Sequence, residues 1–208
     1  MWVFGYGSLI WSPNIPYVRE MAGYVKGYRR RFYQASPDHR GTFERPGRTV
    51  TLVPDEEGTV WGRAYEVSGE NEATVRRYLD HREKAGYGVQ QIVFHPHPKF
   101  DVDPFEVEVY ISPPTDNEYY IGPEPILDIA ERVVTCVGPS GTNIEYVLRL
   151  AHAIRQLEAA MEDDDDHLVE LEAQVLRLCR LRGIYDPVLS ELGYGDQTSF
   201  FRAIQNGV

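Results

Sequence analysis

Strand-like and helix-like apolar spacing are segregated along this chain, and that segregation limits the folds open to it. Trp2, Val3 and Phe4 make an apolar start that reads as a buried strand. Ala22 to Gln34 is rich in Tyr, Val and Phe. Thr49 to Val53 is β-branched and stops at Pro54, and Val60 to Val67 alternates behind Glu57-Gly58, which offers a hairpin turn. Gln90 to Phe94 and Phe105 to Ile111 have the same character. One helix interrupts them: Asn71 is a fitting N-cap, Val75, Tyr78, Leu79 and Arg82 follow helical spacing, and Gly86 supplies a C-terminal stop. Helical spacing then dominates in Ile126 to Cys136, Ile144 to Met161 and His167 to Arg180. Strands gathered ahead of helices predict an α+β chain.

Two glycines sit where the first strand ends, in Val3-Phe4-Gly5-Tyr6-Gly7-Ser8-Leu9. Gly weakens a strand, so Gly5 and Gly7 imply a positive φ or a close approach of another group to bare backbone. The turn would present successive N–H groups around Gly7, Ser8 and Leu9, an arrangement able to hold a carboxylate or phosphate without a lysine. A glycine-rich turn that binds nothing is the plain alternative. The segment lacks the third glycine of a dinucleotide fingerprint and the Gly-Lys of a Walker A loop. Ser36 to Pro46, polar and rich in Pro, Gly and charge, reads as a loop long enough to carry function.

Composition narrows the partners. The 208 residues suit one domain, or one domain with an appendage. A net charge of −11 and a pI near 5.0 argue against nucleic acid or an acidic membrane, because a phosphate backbone demands clustered positive charge. Arg29-Arg30-Arg31 is the one tight basic run and reads as a solvated strand edge. Neither a membrane-length apolar run nor a leader peptide is evident, so no membrane partner and a cytoplasmic location are expected. Cys136 and Cys179, far apart on predicted helices, read as two buried thiols in a reducing compartment, with a single disulfide as the alternative. Glu162 to Asp166 reads as a solvated turn whose charge complements a helix start, since it lacks the alternating ligands of a calcium loop.

Glu83 is the ionisable residue in the least ordinary place. Val75, Leu79 and Glu83 lie at i, i+4 and i+8, so they share one helix face. A carboxylate on an apolar face, in the last helical turn, is disfavoured in its charged form by desolvation and by the helix dipole. Those conditions suit a proton shuttle near neutral pH. The bland alternative is a surface pair with Arg76, Arg82 or Lys84; Asp80 and Glu72 read as ordinary surface charge. His39, His81, His95 and His97 make no defensible metal site, and Ser8 has no nucleophile-elbow context, so neither metal nor other cofactor is expected.

Several blocks taken in order carry a family resemblance. Trp2 to Trp11, Asp38-His39-Arg40-Gly41, Pro46-Gly47-Arg48, Tyr78 to Tyr87, and Gly138-Pro139-Ser140-Gly141 followed by Glu145-Tyr146 resemble the ChaC-type γ-glutamylcyclotransferases. The resemblance covers about residues 1–180. It implies a small mixed β-barrel with surrounding helices, and a lyase that degrades glutathione to 5-oxoproline and cysteinylglycine. Carried over by position, the catalytic glutamate is Glu83 and the substrate loop is Val3, Phe4, Gly5, Tyr6, Gly7 and Ser8, extending to Leu9. Arg40 and Tyr110 match further substrate-facing positions. Action on other γ-glutamyl amino acids or amines, or silent binding of glutathione, are the alternatives. Residues 1–181 are expected to form the cyclotransferase-like domain. Residues 182–208 match nothing in the family pattern and read as a loosely packed or partner-pairing tail; the oligomeric state is not legible.

Overall fold

Val3 and Phe4 are both fully buried, and neighbouring strand residues face opposite ways, so β1 (Trp2–Gly5) is covered on two sides. The computed structural model, which describes residues 1–82, 86–97, 102–158 and 165–195, shows what covers it. On one side Phe4 packs against Phe94, their rings 5.7 Å apart, in a core that includes Val25, Val60 and Val109. On the other, Val3 joins Tyr65, Tyr110, Val75 and Leu79.

Five strands close into a barrel in the order β1-β3-β2-β4-β5. They are β1, β2 (Arg19–Ser36), β3 (Gly47–Glu66), β4 (Gly88–Pro96) and β5 (Phe105–Ile111). All pairs are antiparallel except the closing one, where Val3 meets Glu108 in parallel. The expected mixed barrel is therefore what forms. The expected hairpin at Glu57-Gly58 does not. Lys26 pairs with Thr59 and Tyr28 with Pro54, so Gly27 alone opposes Asp55 to Gly58. The turn-forming residues make a bulge inside one long strand, and Gly27, with φ +84°, absorbs the mismatch. Pro54 sits beside this break, where its missing N–H costs the ladder little.

Arg29-Arg30-Arg31 is not a uniformly solvated edge either. Arg30 is buried; its Nε donates to Tyr6 O (2.9 Å), its Nη2 to Trp61 O, and its Nη1 to Asp165 (2.7 Å). Asp165 also caps the helix that follows, accepting from Leu168 N at 3.2 Å. The acidic run thus does complement a helix start, and one of its members neutralises a buried cation. Residues 162–164 lie outside the described residues.

α1 (Glu72–Arg82) turns Val75 and Leu79 into the barrel wall, each burial contributing roughly 1.5–3 kcal/mol. Gly86, at φ +83°, follows it as the sequence requires. α2 (Ile126–Val133), α3 (Asn143–Glu158) and α4 (Asp166–Arg182) cover the barrel through Ile129, Leu150, Ile154, Leu168 and Val175. Between α2 and α3, β6 (Val137–Gly138) and β7 (Gly141–Thr142) form a two-stranded ribbon. Cys136 lies beyond α2 rather than on it, and its Sγ donates to Pro46 O at 3.5 Å. Cys179, where burial pushes the thiol up to about 11, is in α4; both thiols are free.

Residues 183–195 are not loosely packed. Asp186 accepts from Val188 N (3.0 Å) to cap α5 (Pro187–Glu191), whose Val188 and Leu189 are fully buried. Among the described residues no helix is long and apolar enough to cross a membrane.

Candidate active site

The end of β1 fixes the start of the site. After Gly5 the chain enters a single 3₁₀ turn, Ser8–Ile10, closed by Ile10 N donating to Gly7 O at 3.0 Å. The N–H groups of Ser8 and Leu9 precede that bond, so the turn itself supplies them no acceptor. Neither Gly5 nor Gly7 has a positive φ; close approach explains both. A Cβ on Gly5 would lie 2.7 Å from Leu9 Cβ, and one on Gly7 would lie 3.0 Å from both the Tyr146 hydroxyl and Val50 Cγ2.

Two adjoining cavities meet at this turn. The larger, about 610 Å³, is within the usual range for small-molecule sites. Its lining includes Ser8, Trp11, Ser36, Asp38, His39, Arg40, Arg82, Glu145, Tyr146 and Arg149. The smaller, about 40 Å³, is an inner recess walled by Tyr6, Gly7, Ser8, Leu9, Tyr87 and Tyr110. Ser8, Tyr87 and Tyr146 belong to both, so the recess opens off the main cavity.

Each wall has an identifiable support. The loop between β2 and β3 brings in Asp38, His39 and Arg40, as its length and polarity suggested. Its anchor is the β6–β7 ribbon: His39 Nδ1 bonds Ser140 Oγ and its Nε2 bonds Arg82 O, each at 2.9 Å. Since a carbonyl can only accept, Nε2 is the protonated nitrogen. That bond ties the end of α1 to the loop. Arg82 also donates to Ser8 Oγ at 2.7 Å and to Ser12 O at 3.1 Å, binding the same helix end to the glycine turn. Tyr6 donates to Tyr110 O at 2.7 Å, and Tyr110 to Asp80 Oδ1 at 2.8 Å.

Arg40 Nη1 donates to Glu145 Oε2 (2.7 Å) and Thr142 O (3.0 Å), and its guanidinium lies 5.6 Å from the Tyr146 ring centre. Burial pushes the Glu145 carboxyl up, but hydrogen bonds and charge from Arg149 and Arg40 outweigh it and hold the group below the usual glutamate value. Glu145 is therefore an anion at neutral pH.

The structure gathers most of the residues singled out from sequence. Phe4, Tyr6, Gly7, Ser8, Leu9 and Tyr110 line the recess, and Arg40 lines the main cavity. Val3 faces the α1 side of β1, and Gly5 is where Leu9 closes over the backbone; neither is among the residues lining these two cavities. Glu83 lies outside the described residues. Its sequence neighbour Arg82 lines the cavity, Val75 and Leu79 of its stripe are buried, and Arg76, one of its alternative surface partners, grips Glu108 with both Nη atoms (2.7 and 2.5 Å).

Sequence reasoning passed over Asp80, Arg82, Tyr146 and Arg149. Asp80 looked like surface charge because nothing in one helix reveals a tyrosine arriving from β5. Glu145 and Arg149, at i and i+4, look like any exposed helix pair. Asp80, Arg82, Glu145 and Tyr146 had a signal, since each stands in a block shared with the family; Arg149 had none.

The profile of the ChaC-like protein family matches residues 1–178. The chain is 42% identical over 182 residues to a glutathione-specific γ-glutamylcyclotransferase 1 of Danio rerio, covering 86% of this chain and 91% of that one. Similarity to the Homo sapiens protein of the same name is 40% over 173 residues, or 82% and 76% of the two chains. The fold is similar to that of a crystallised yeast γ-glutamyl cyclotransferase specific to glutathione, with a TM-score of 0.78 and 30% identity over 85% of this chain and 96% of that one.

Proposed function

Since the chain belongs to the ChaC-like family, we propose that it is a lyase that degrades glutathione, closing the γ-glutamyl unit into 5-oxoproline and releasing cysteinylglycine. The observation that carries this reading is the recess: a pocket sized for one small group, walled by the glycine turn, opening into a cavity with room for the remainder of a tripeptide.

The chemistry follows from the substrate's own shape. The α-amino nitrogen attacks the side-chain carbonyl carbon of the same residue, forming the C–N bond of a five-membered ring. The bond from that carbon to the cysteine nitrogen breaks. No water is consumed, and neither metal nor nucleotide is needed. Holding the glutamyl unit folded supplies the proximity, for which effective molarities of order 10⁵ M or more are known. In this reading the α-carboxylate sits in the recess against the N–H groups of Ser8 and Leu9, which turns the amine toward the carbonyl.

The α-ammonium must lose one proton before it can attack and a second as it becomes the ring N–H, while the departing nitrogen takes up one proton to leave as an amine and a second from solvent to become ammonium. We assign to Glu83 the removal that frees the attacking amine and the delivery to the leaving nitrogen, as base and then as acid; the remaining proton goes to solvent. What supports this is the fixed end of α1, pinned through Arg82 to His39 and Ser8, with Glu83 next in sequence. General acid–base catalysis of this kind contributes on the order of 10²–10⁴-fold. The acidic net charge of the chain is no obstacle, because charges beyond about 8–10 Å are screened while the local dipoles and Arg40 act at contact.

We assign the cyclotransferase unit to residues 1–181, in keeping with the family match over 1–178. A cytoplasmic location is in keeping with two free, buried thiols. The test is a timed assay of 5-oxoproline with glutathione as sole substrate, for the wild type and Glu83→Gln. The wild type should form product, and the variant should keep its fold and lose turnover by about 10²-fold or more. Wild-type rates from Glu83→Gln remove that residue from the mechanism; binding of glutathione without product makes the protein a sensor instead.

A further inference from the structure

Glutathione has a carboxylate at each end, and the recess accounts for only one. The second would enter the main cavity with the cysteinylglycine portion, where a desolvated anion needs a partner. Among the described residues lining that cavity, three arginines face two carboxylates, leaving one net positive charge in a chain whose total is −11. Arg82 is committed to the glycine-turn side. Arg40 and Arg149 clamp Glu145 between them: Arg149 Nε donates to Glu145 Oε1 at 2.8 Å, and Arg40 holds Oε2.

Arg149 is held from behind as well. Its Nη2 donates to Glu191 Oε2 of α5 at 2.5 Å. A second strut from the same segment runs through Asp186, which accepts from the Thr142 hydroxyl at 2.6 Å; the Thr142 carbonyl in turn accepts from Arg40. The chain beyond residue 182 therefore braces both arginines. A guanidinium has five donors in a rigid plane, and the two named contacts of Arg149 use two of them. Fixed in orientation by two carboxylates, it presents what remains of its fork to the cavity it lines.

We propose that Arg149, with Arg40 beside it, is the subsite for the glycine-end carboxylate of the substrate, and that α5 positions Arg149 through Glu191. The proposal rests on glutathione being the substrate. It gives the segment after residue 182 a role in recognition, and it makes the Arg40–Arg149 pair discriminate glutathione from γ-glutamyl compounds that lack a second carboxylate.

The test compares two substrates that differ only at that group: glutathione and its glycyl monoethyl ester, with 5-oxoproline release as the readout. Arg149→Gln should raise KM for glutathione about 10- to 100-fold, the range for losing a hydrogen bond to a charged group, and leave kcat within about threefold. The same variant should barely change KM for the ester. Glu191→Gln, at a half-exposed position, should shift glutathione KM the same way by a few fold, again sparing kcat and the ester. Arg149→Lys, which keeps charge but not the planar fork, should recover part of the loss. Equal responses of both substrates to Arg149→Gln, or none in either, overturn the subsite while leaving the glutathione reading intact. A wild type that forms no 5-oxoproline from glutathione overturns the parent reading and this one with it.

Discussion

Adding a single methyl group at Gly7 tests whether the recess holds substrate. Its Cβ would stand 3.0 Å from the Tyr146 hydroxyl and 3.0 Å from Val50 Cγ2. That is tighter than ordinary contact, so both neighbours must shift by a few tenths of an ångström. The added methyl would stand between Tyr146 and Val50, two side chains that line the recess, and would compete there with a bound carboxylate. Overpacking of this kind typically costs 1–3 kcal/mol. If that cost falls on the bound complex, KM for glutathione rises about 5- to 150-fold at 1.4 kcal/mol per decade. If it falls on the fold, the melting temperature drops by roughly 2–12 °C for a chain of this size. Steady-state 5-oxoproline kinetics and thermal melts of Gly7→Ala separate the two. A folded Gly7→Ala protein with unchanged KM would refute the assignment of the recess to the substrate's α-carboxylate.

Two further outcomes follow from packing and burial. His167 accepts from Phe32 N at 3.1 Å, and burial, aided by Arg31, pushes its pKa down to about 4. The unfolded chain takes up that proton near pH 6.5, so the stabilising effect is complete above 6.5 and is lost as pH falls toward 4; at pH 5 the loss is about 2 kcal/mol, read as a pH-dependent urea midpoint that should flatten in His167→Gln. Leu79→Ala, at a fully buried site beneath α1, should lower stability by about 2–5 kcal/mol in the same assay, and a loss under 1 kcal/mol would mean that α1 is not seated as described.

Much of the architecture could be read in advance because it depends on local spacing. The α1 stripe of Val75 and Leu79, the strand at Phe105 to Ile111 and the loop carrying His39 and Arg40 each follow from period or polarity within one segment. The failures share a different cause. Glu57-Gly58 carries a hairpin signal, but β2 runs beside both halves of β3, and long-range pairing overrides the local turn preference. Arg30 reads as solvated because its buried partner, Asp165, lies 135 residues away. α5 was invisible at five residues, although Asp186-Pro187 is a sound cap. Within the site, backbone features were easiest to foresee, because glycine has few other reasons to interrupt a strand. The tyrosine lining was hardest, since Tyr6, Tyr87, Tyr110 and Tyr146 come from four separate segments and only closure of the barrel brings them together.

That closure has a bearing on biosynthesis. The parallel contact of Val3 with Glu108 joins the first strand to the last. Until residue 108 has left the ribosome, β1 has no neighbour on that flank and β5 does not exist. A nascent chain halted earlier would expose an unpaired edge, the kind of surface on which aggregation starts. The turn at Ser8 would likewise lack its Tyr110 wall, so a half-made copy has no recess at that turn.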